Sequence, residues 1–259
     1  MVFYNIILDI FFVPFFLLLM TASLFNARLR KTFFRRIGLY RVRSFSQRPV
    51  WFHCSSLGEF NAIKNMVLEL KNHGYEIFVS LLTDTGFESA EKFLGQGHVC
   101  VLPLDFHFLI KPLVRKVNAC LLVIEETEIW PNLITQSAKA SIPIIYTNAI
   151  ISQKSYSFYS CLSMIFKPVL GLISLFFVQN QKTGAYLREL GVKQKKIRYE
   201  GNIKFDLRIR QKLTPSLLKQ RLGLSHTLVF TAGSTRPGEE ELLLGAFQSL
   251  KGKFKSLKL

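Results

Sequence analysis

Three short stretches carry the carboxylates and hydroxyls from which a reaction could be built. "SSLGE", Ser55 to Glu59, follows a β-rich run and opens an amphipathic pattern, so Glu59 falls at the positive end of a helix dipole. An ionised carboxylate there can accept a proton from a sugar hydroxyl as that oxygen attacks. The same position is also where an acid simply improves a helix start, and the local sequence leaves both readings open. Gly58 reads as the residue that lets the backbone turn tightly. In "IEETEIWPN", Ile124 to Asn132, the carboxylates Glu125, Glu126 and Glu128 cluster at a strand end beside Trp130 and a helix-opening Pro131. A metal site would want His or Asp at ligand spacing, and none stands there. "GSTRPGEEE", Gly233 to Glu241, has the GxxxxG spacing of a P-loop, but Glu239 and Glu240 replace its Lys and Ser/Thr. That excludes an ATPase, although Gly, Ser and Thr ahead of a helix still offer N–H groups to an anion.

These stretches need strands and helices to position them. Near-continuous apolar runs at 50–55, 76–82, 99–104, 119–125, 143–147, 174–179 and 197–201 suit strands buried on both faces. Helical patterns at 59–73, 86–95, 106–117, 131–140, 154–170 and 181–190 fall between them, punctuated by Gly74, Pro131 and Gly191. Such alternation predicts an α/β fold with an open parallel sheet wound on both sides, and ligands outside the carboxyl ends of its strands. The pattern predicts a Rossmann-like domain over 50–206, a linker over 207–227, and the start of a second such domain over 228–259. One β–α unit cannot cover both faces of a sheet, so the second domain reads as incomplete.

The 259 residues are 49% hydrophobic and 20% charged, which supplies a packed core and excludes a disordered tail. An excess of 34 Lys+Arg over 17 Asp+Glu, +17 in all, calls for a polyanionic neighbour. Residues 6–25 are long and apolar enough for one bilayer crossing, with Asp9 as their only charge and Pro14 as a kink. An anchor helix is therefore expected over 1–27, spanning or deeply inserted, with in-plane embedding as the alternative. The basic segment 28–49 follows, with Arg28, Arg30, Lys31, Arg35, Arg36, Arg41, Arg43 and Arg48 and no acid, which keeps that flank cytoplasmic and draws anionic lipid. A cleaved signal peptide would carry its charges ahead of the apolar run. With these charges assigned to lipid, and with no zinc-finger or RNA-binding signature, nucleic acid is not expected as a partner. The four cysteines, Cys54, Cys100, Cys120 and Cys161, lie far apart without metal spacing and read as packing residues of a reducing compartment.

The ordered stretches "WFHCSSLGE", "LPLDF", "EETEIWPN", "YTNAIIS", "VQN", "GNIKFD" and "TAGSTRPGEEE" resemble the bacterial 3-deoxy-D-manno-octulosonic acid (Kdo) transferases of lipopolysaccharide assembly. The resemblance runs along essentially the whole chain, and "ETEIWPN" and "GNIKFD" are its most specific pieces. It implies a GT-B fold of two Rossmann-like domains and an inverting glycosyltransferase without metal or other cofactor. The implied donor is CMP-Kdo, and the implied acceptor is a tetra-acylated, bis-phosphorylated lipid A precursor (lipid IVA) at the cytoplasmic face of the inner membrane. On this resemblance the catalytic base falls on Glu59. Substrate-binding positions fall on Ser55, Ser56, Gly58, Glu126, Glu128, Asn202 and Lys204, and the donor side on Ser234, Thr235, Arg236 and Glu239.

Two substitutions depart mildly from the pattern: Arg236 where the family commonly has His, and Leu57 where Val is usual. The larger departure is the donor domain, most of which the family carries beyond this point. The chain alone is therefore expected not to transfer Kdo. Another GT-B-like enzyme, such as a nucleotide-sugar epimerase or a lipid-linked sugar transferase, and a non-catalytic membrane-bound remnant are the competing readings.

Overall fold

The structure, a computed structural model, describes residues 1–25, 34–38, 41–126, 128–206, 214–225 and 227–259. Arg28, Arg30 and Lys31 of the basic segment, and part of the 207–227 linker, lie outside the described residues. The chain divides into two compact units, Met1–Leu207 and Arg208–Leu259.

The first unit is a seven-stranded, all-parallel sheet in the order β3-β2-β1-β4-β5-β6-β7. The strands are β1 (Val50–Cys54), β2 (Ile77–Leu81), β3 (Val99–Val101), β4 (Leu121–Glu125), β5 (Ile144–Ala149), β6 (Leu175–Val178) and β7 (Ile197–Tyr199). Every residue of β1, β2 and β3 is buried, because helices cover both faces of the sheet. The helices are α1 (Val2–Phe25), α2 (Leu57–Asn72), α3 (Asp84–Leu94), α4 (His107–Val117), α5 (Pro131–Lys139), α6 (Gln153–Cys161), α7 (Ser163–Leu172) and α8 (Gln181–Glu189). Two cores result. Phe60, Ile63, Phe87 and Ala90 of α2 and α3 pack over one face, and Ile110, Leu133, Val169 and Leu187 of α4, α5, α7 and α8 over the other. Strand order reverses between β1 and β4, which places the loops after these two strands at the switch point of the sheet.

The single helix expected over 154–170 is two, α6 and α7, with Leu162 at the join (φ −101°, ψ 35°). No proline or glycine marks that break, and Pro168 sits inside α7 instead. The strand expected to run to residue 104 ends at Val101, and Pro103 just beyond it has no N–H for a ladder.

Four arginines of the basic segment make contacts within the protein. Arg35 reaches Asp84 at 3.0 Å and lies over the Phe87 ring, and Arg36 donates to the Leu82 carbonyl at 2.8 Å. Arg43 pairs with Glu76 at 3.7 Å, and Arg48 donates to the carbonyls of Asn118 and Ala119. Four of the arginines expected to face lipid thus have partners within the protein: they reach the start of α3, the end of β2 and the turns ahead of β2 and β4.

The second unit holds α9 (Pro215–Arg221) and α10 (Glu239–Lys253). Val229 and Lys258 form one parallel bridge, with Phe230 N–H donating to the Lys258 carbonyl at 2.7 Å. No residue of α10 is buried, since a lone bridge gives its apolar side chains no sheet to cover.

Candidate active site

Glu59 is the third residue of α2, and Ser56 caps that helix by accepting the Glu59 N–H at 3.3 Å. A Glu in this register ordinarily folds back onto the N–H of the capping residue. Here it reaches one residue further: Oε2 accepts the Ser55 N–H at 2.5 Å, and Oε1 accepts the Ser55 hydroxyl. With both oxygens held, Glu59 is only 6% exposed. Burial lifts its pKa above the usual glutamate range, while the two Ser55 bonds restrain the rise; Glu126 adds to it and Lys204 opposes it. A fixed carboxylate with raised basicity is suited to taking a proton near neutral pH. Gly58 plays another part than the one expected of it. It lies within α2, its φ is not positive, and a Cβ there would meet only Ser56 Oγ at 3.7 Å. The turn does not demand glycine; the missing side chain leaves the first turn of α2 open beside Glu59.

Glu126 leaves β4 in the left-handed region, φ 63°, a conformation that costs a non-glycine residue about 1–2 kcal/mol. Its N–H donates to the Thr147 carbonyl at 3.0 Å and its carbonyl accepts the Ile150 N–H at 3.1 Å, which fix the turn. The carboxylate meets Lys204 Nζ at 3.0 and 3.1 Å. Lys204 lies in the 3-10 turn Ile203–Asp206, packed against α2. Asn202 Oδ1 accepts the Lys204 N–H at 2.9 Å, and Asn202 Nδ2 donates to Gln179 Oε1 at 3.1 Å. Gln179 Nε2 donates to the Asn148 carbonyl at 2.8 Å, and Asn148 Oδ1 accepts the Ile203 N–H at 3.3 Å. Stretches spread over 78 positions thus close into one network at the carboxyl ends of β4, β5 and β6.

Glu128 is partly buried, and burial followed by the charge of Glu59 raises its pKa, with Arg36 opposing. Glu125 is fully buried; burial pushes it up to about 7 although Thr147 Oγ1 donates to it at 2.7 Å. Four carboxylates, Glu59, Glu125, Glu126 and Glu128, therefore share one electrostatic field, with Lys204 and Arg36 as the cations that offset it. The site residues expected in this unit, Ser55, Ser56, Gly58, Glu59, Glu126, Glu128, Asn202 and Lys204, all fall just beyond the carboxyl ends of β1, β4 and β7.

Sequence reasoning missed the residues that brace the site. Asp105, after β3, accepts the Asn132 and Leu133 N–H groups at 2.9 and 3.0 Å and so caps α5 from a distant loop. Burial lifts its pKa to about 7 against those bonds. His53 Nδ1 meets Ser80 Oγ at 2.9 Å, and that hydroxyl also accepts from Trp51 Nε1 at 2.8 Å. Burial pushes His53 down to about 3, so the ring is neutral. The stretches "LPLDF", "YTNAIIS" and "VQN" held the signal for Asp105, Asn148 and Gln179, but nothing local in them says what they bond.

The donor-side candidates lie in the second unit. Ser234 has φ 59°, Thr235 Oγ1 donates to Glu240 at 2.9 Å, and Glu239 accepts the Arg236 N–H at 3.0 Å. This makes a compact turn ahead of α10 with its acids at the helix start.

The chain is 30% identical over 243 residues to the 3-deoxy-D-manno-octulosonic acid transferase of Haemophilus influenzae, covering 92% of this chain and 57% of that one. It is 27% identical over 231 residues to the transferase of the same name from Chlamydophila psittaci, covering 86% and 53%. A bifunctional glycosyltransferase/methyltransferase of Fusobacterium nucleatum is 34% identical over 208 residues, covering 78% and 32%. The chain thus spans about half the length of the two transferases and a third of the bifunctional protein. Among solved structures, a putative UDP-N-acetylglucosamine 2-epimerase from Listeria monocytogenes aligns with TM-score 0.57 at 12% identity, over 83% of this chain and 62% of that one. That likeness supports the GT-B-like fold and nothing finer. Residues 24–207, which hold Glu59, the acidic turn and Lys204, match the family described as 3-Deoxy-D-manno-octulosonic-acid transferase (kdotransferase), and the chain belongs to that family.

Proposed function

We propose that the chain forms the acceptor-binding and base-supplying half of an inverting glycosyltransferase that moves Kdo from CMP-Kdo to a lipid A precursor. The observation that carries this reading is Glu59, buried at the switch point with both oxygens held by Ser55, inside the family-matched segment. A sugar hydroxyl of the acceptor approaches over the open first turn of α2. Its oxygen bonds to the anomeric carbon of Kdo while the bond from that carbon to the CMP phosphate oxygen breaks, its electron pair leaving on CMP. Attack opposite the leaving group inverts the configuration, and the hydroxyl proton passes to Glu59. Lys204 neutralises Glu126, which limits the like-charge field that would otherwise drive Glu59 to hold a proton of its own. Ser234, Thr235, Arg236 and Glu239 are assigned to the donor side, where the N–H groups of a turn suit the CMP phosphate. Anionic lipid at the cytoplasmic face of the inner membrane supplies the acceptor.

Transfer from CMP-Kdo to tetra-acylated lipid A precursor by this chain, joined to a complete donor-binding domain of its family, tests the reading. Kdo-bearing lipid is the expected product. Hydrolysis or epimerisation of a nucleotide sugar without lipid product would overturn it.

A further inference from the structure

We propose that α1 does not cross the bilayer: it lies flat in one leaflet, with its N-terminus on the same side as the sheet. By length and apolar composition α1 could span. Its contacts forbid it. Met1 packs against the core of the first unit, and Tyr4 Oη donates to Asp105 Oδ2 at 3.0 Å. Asn132 Nδ2 donates to Asn5 Oδ1 at 2.8 Å, and Asp9 faces His107 at 3.9 Å. Phe12 sits edge-on to Phe106 and Phe108 with centroids 4.8 and 5.0 Å away. Tyr4, Asn5, Leu8 and Phe12 recur at helical spacing, so one stripe of α1 is held against the loop after β3 and the start of α5. Residues 13–25 then make only about 20 Å of helix, short of a hydrocarbon core of about 30 Å. Both ends of the segment also return to the sheet: Met1 through its packing, and Arg36 through its carbonyl, which accepts the Leu104 N–H at 3.0 Å. A single crossing cannot begin and end on one side.

The remaining surface suits a leaflet. The outer stripe is bare and apolar, with Ile10 66%, Val13 59% and Leu24 67% exposed. Leu8, Phe11 and Leu18 share an apolar cavity of about 490 Å³ with Phe106 and Trp130 of the body, so the apolar edge is composite. At the first turn of α1, Asn5 and His107 open on a cavity of about 410 Å³ lined also by Lys111, Arg115, Gln136 and Lys139. A bare apolar stripe on one side of the helix, with a basic recess opening at its first turn, suits a helix lying at the boundary of acyl chains and anionic headgroups. Phospholipid headgroups are the partner this recess takes.

The test uses the full chain with a short protease-cleavable tag ahead of Met1, in inside-out and right-side-out membrane vesicles. The exposed Cys161, labelled with an impermeant maleimide, marks the side of the body. The tag should be lost only in the vesicles where Cys161 labels. A tag cleaved from the opposite face, or protected while Cys161 labels, would overturn the proposal. Replacing Lys111, Arg115 and Lys139 by Gln should weaken binding to phosphatidylglycerol vesicles on the order of a hundredfold. Unchanged binding would overturn the assignment of phospholipid headgroups to this recess. Both readouts are independent of Kdo transfer, so they can fail while the proposed activity stands.

Discussion

Lys204 and Glu126 meet at 3.0 Å across 78 residues of chain, and this contact joins the stretches "EETEIWPN" and "GNIKFD" into one site. The pair is partly exposed, so its effect on stability is small, within about 1 kcal/mol. Its effect on chemistry is larger, because Glu126 and Lys204 act in opposite directions on the proton affinity of Glu59. Lys204→Met is expected to lower transfer at least tenfold and to shift the acidic limb of the pH–rate profile upward, with little change in thermal midpoint. Initial rates from pH 5 to 8, with a melting curve, check this.

Glu126 holds a left-handed backbone, φ 63°, that glycine adopts without cost. Glu126→Gly should leave the fold as stable or up to about 1 kcal/mol more stable, since relieved backbone strain offsets the lost ion pair. Activity should fall nonetheless. Denaturant unfolding beside a transfer assay separates the two effects.

Asp105 and Glu125 both carry pKa values near 7 through burial, far above their unfolded values. The native state therefore binds more protons than the unfolded chain between about pH 4 and 7, and stability falls as pH rises through that window. The slope is up to about 1.4 kcal/mol per pH unit for each group. Asp105→Asn should flatten part of the slope, which urea unfolding at a series of pH values would reveal.

Ser80 serves two buried rings at once, Trp51 and His53. Ser80→Ala removes that shared partner from polar groups that water does not reach, at a cost of about 2–4 kcal/mol. A loss below 1 kcal/mol by chemical unfolding would mean that the His53 contact to the Ser80 carbonyl at 3.2 Å suffices.

The sheet was legible because β1, β2 and β3 are buried on both faces and spell uninterrupted apolar runs, while Gly74, Pro131 and Gly191 punctuate the helices. The break at Leu162 was not, since no proline or glycine marks it between α6 and α7. Glu59 was legible as a carboxylate at a helix start, but its Ser55 clasp was not, because a capping-box pattern points to Ser56. The partners of Arg35, Arg36, Arg43 and Arg48 were not legible, because a run of charge says nothing of the carboxylates and carbonyls that the fold brings to it. Asp105 and Asn132 read as parts of a family pattern, whereas their work is to cap α5 and to hold α1.

The base assignment is the central claim, and Glu59→Gln tests it most directly. Glutamine keeps the shape but cannot take the proton. In the chain joined to a complete donor-binding domain, Kdo transfer should drop by about 10²–10⁴-fold while the melting temperature and acceptor binding hold. Transfer within a few-fold of the parent would contradict the account and leave Glu59 as a helix-start carboxylate alone.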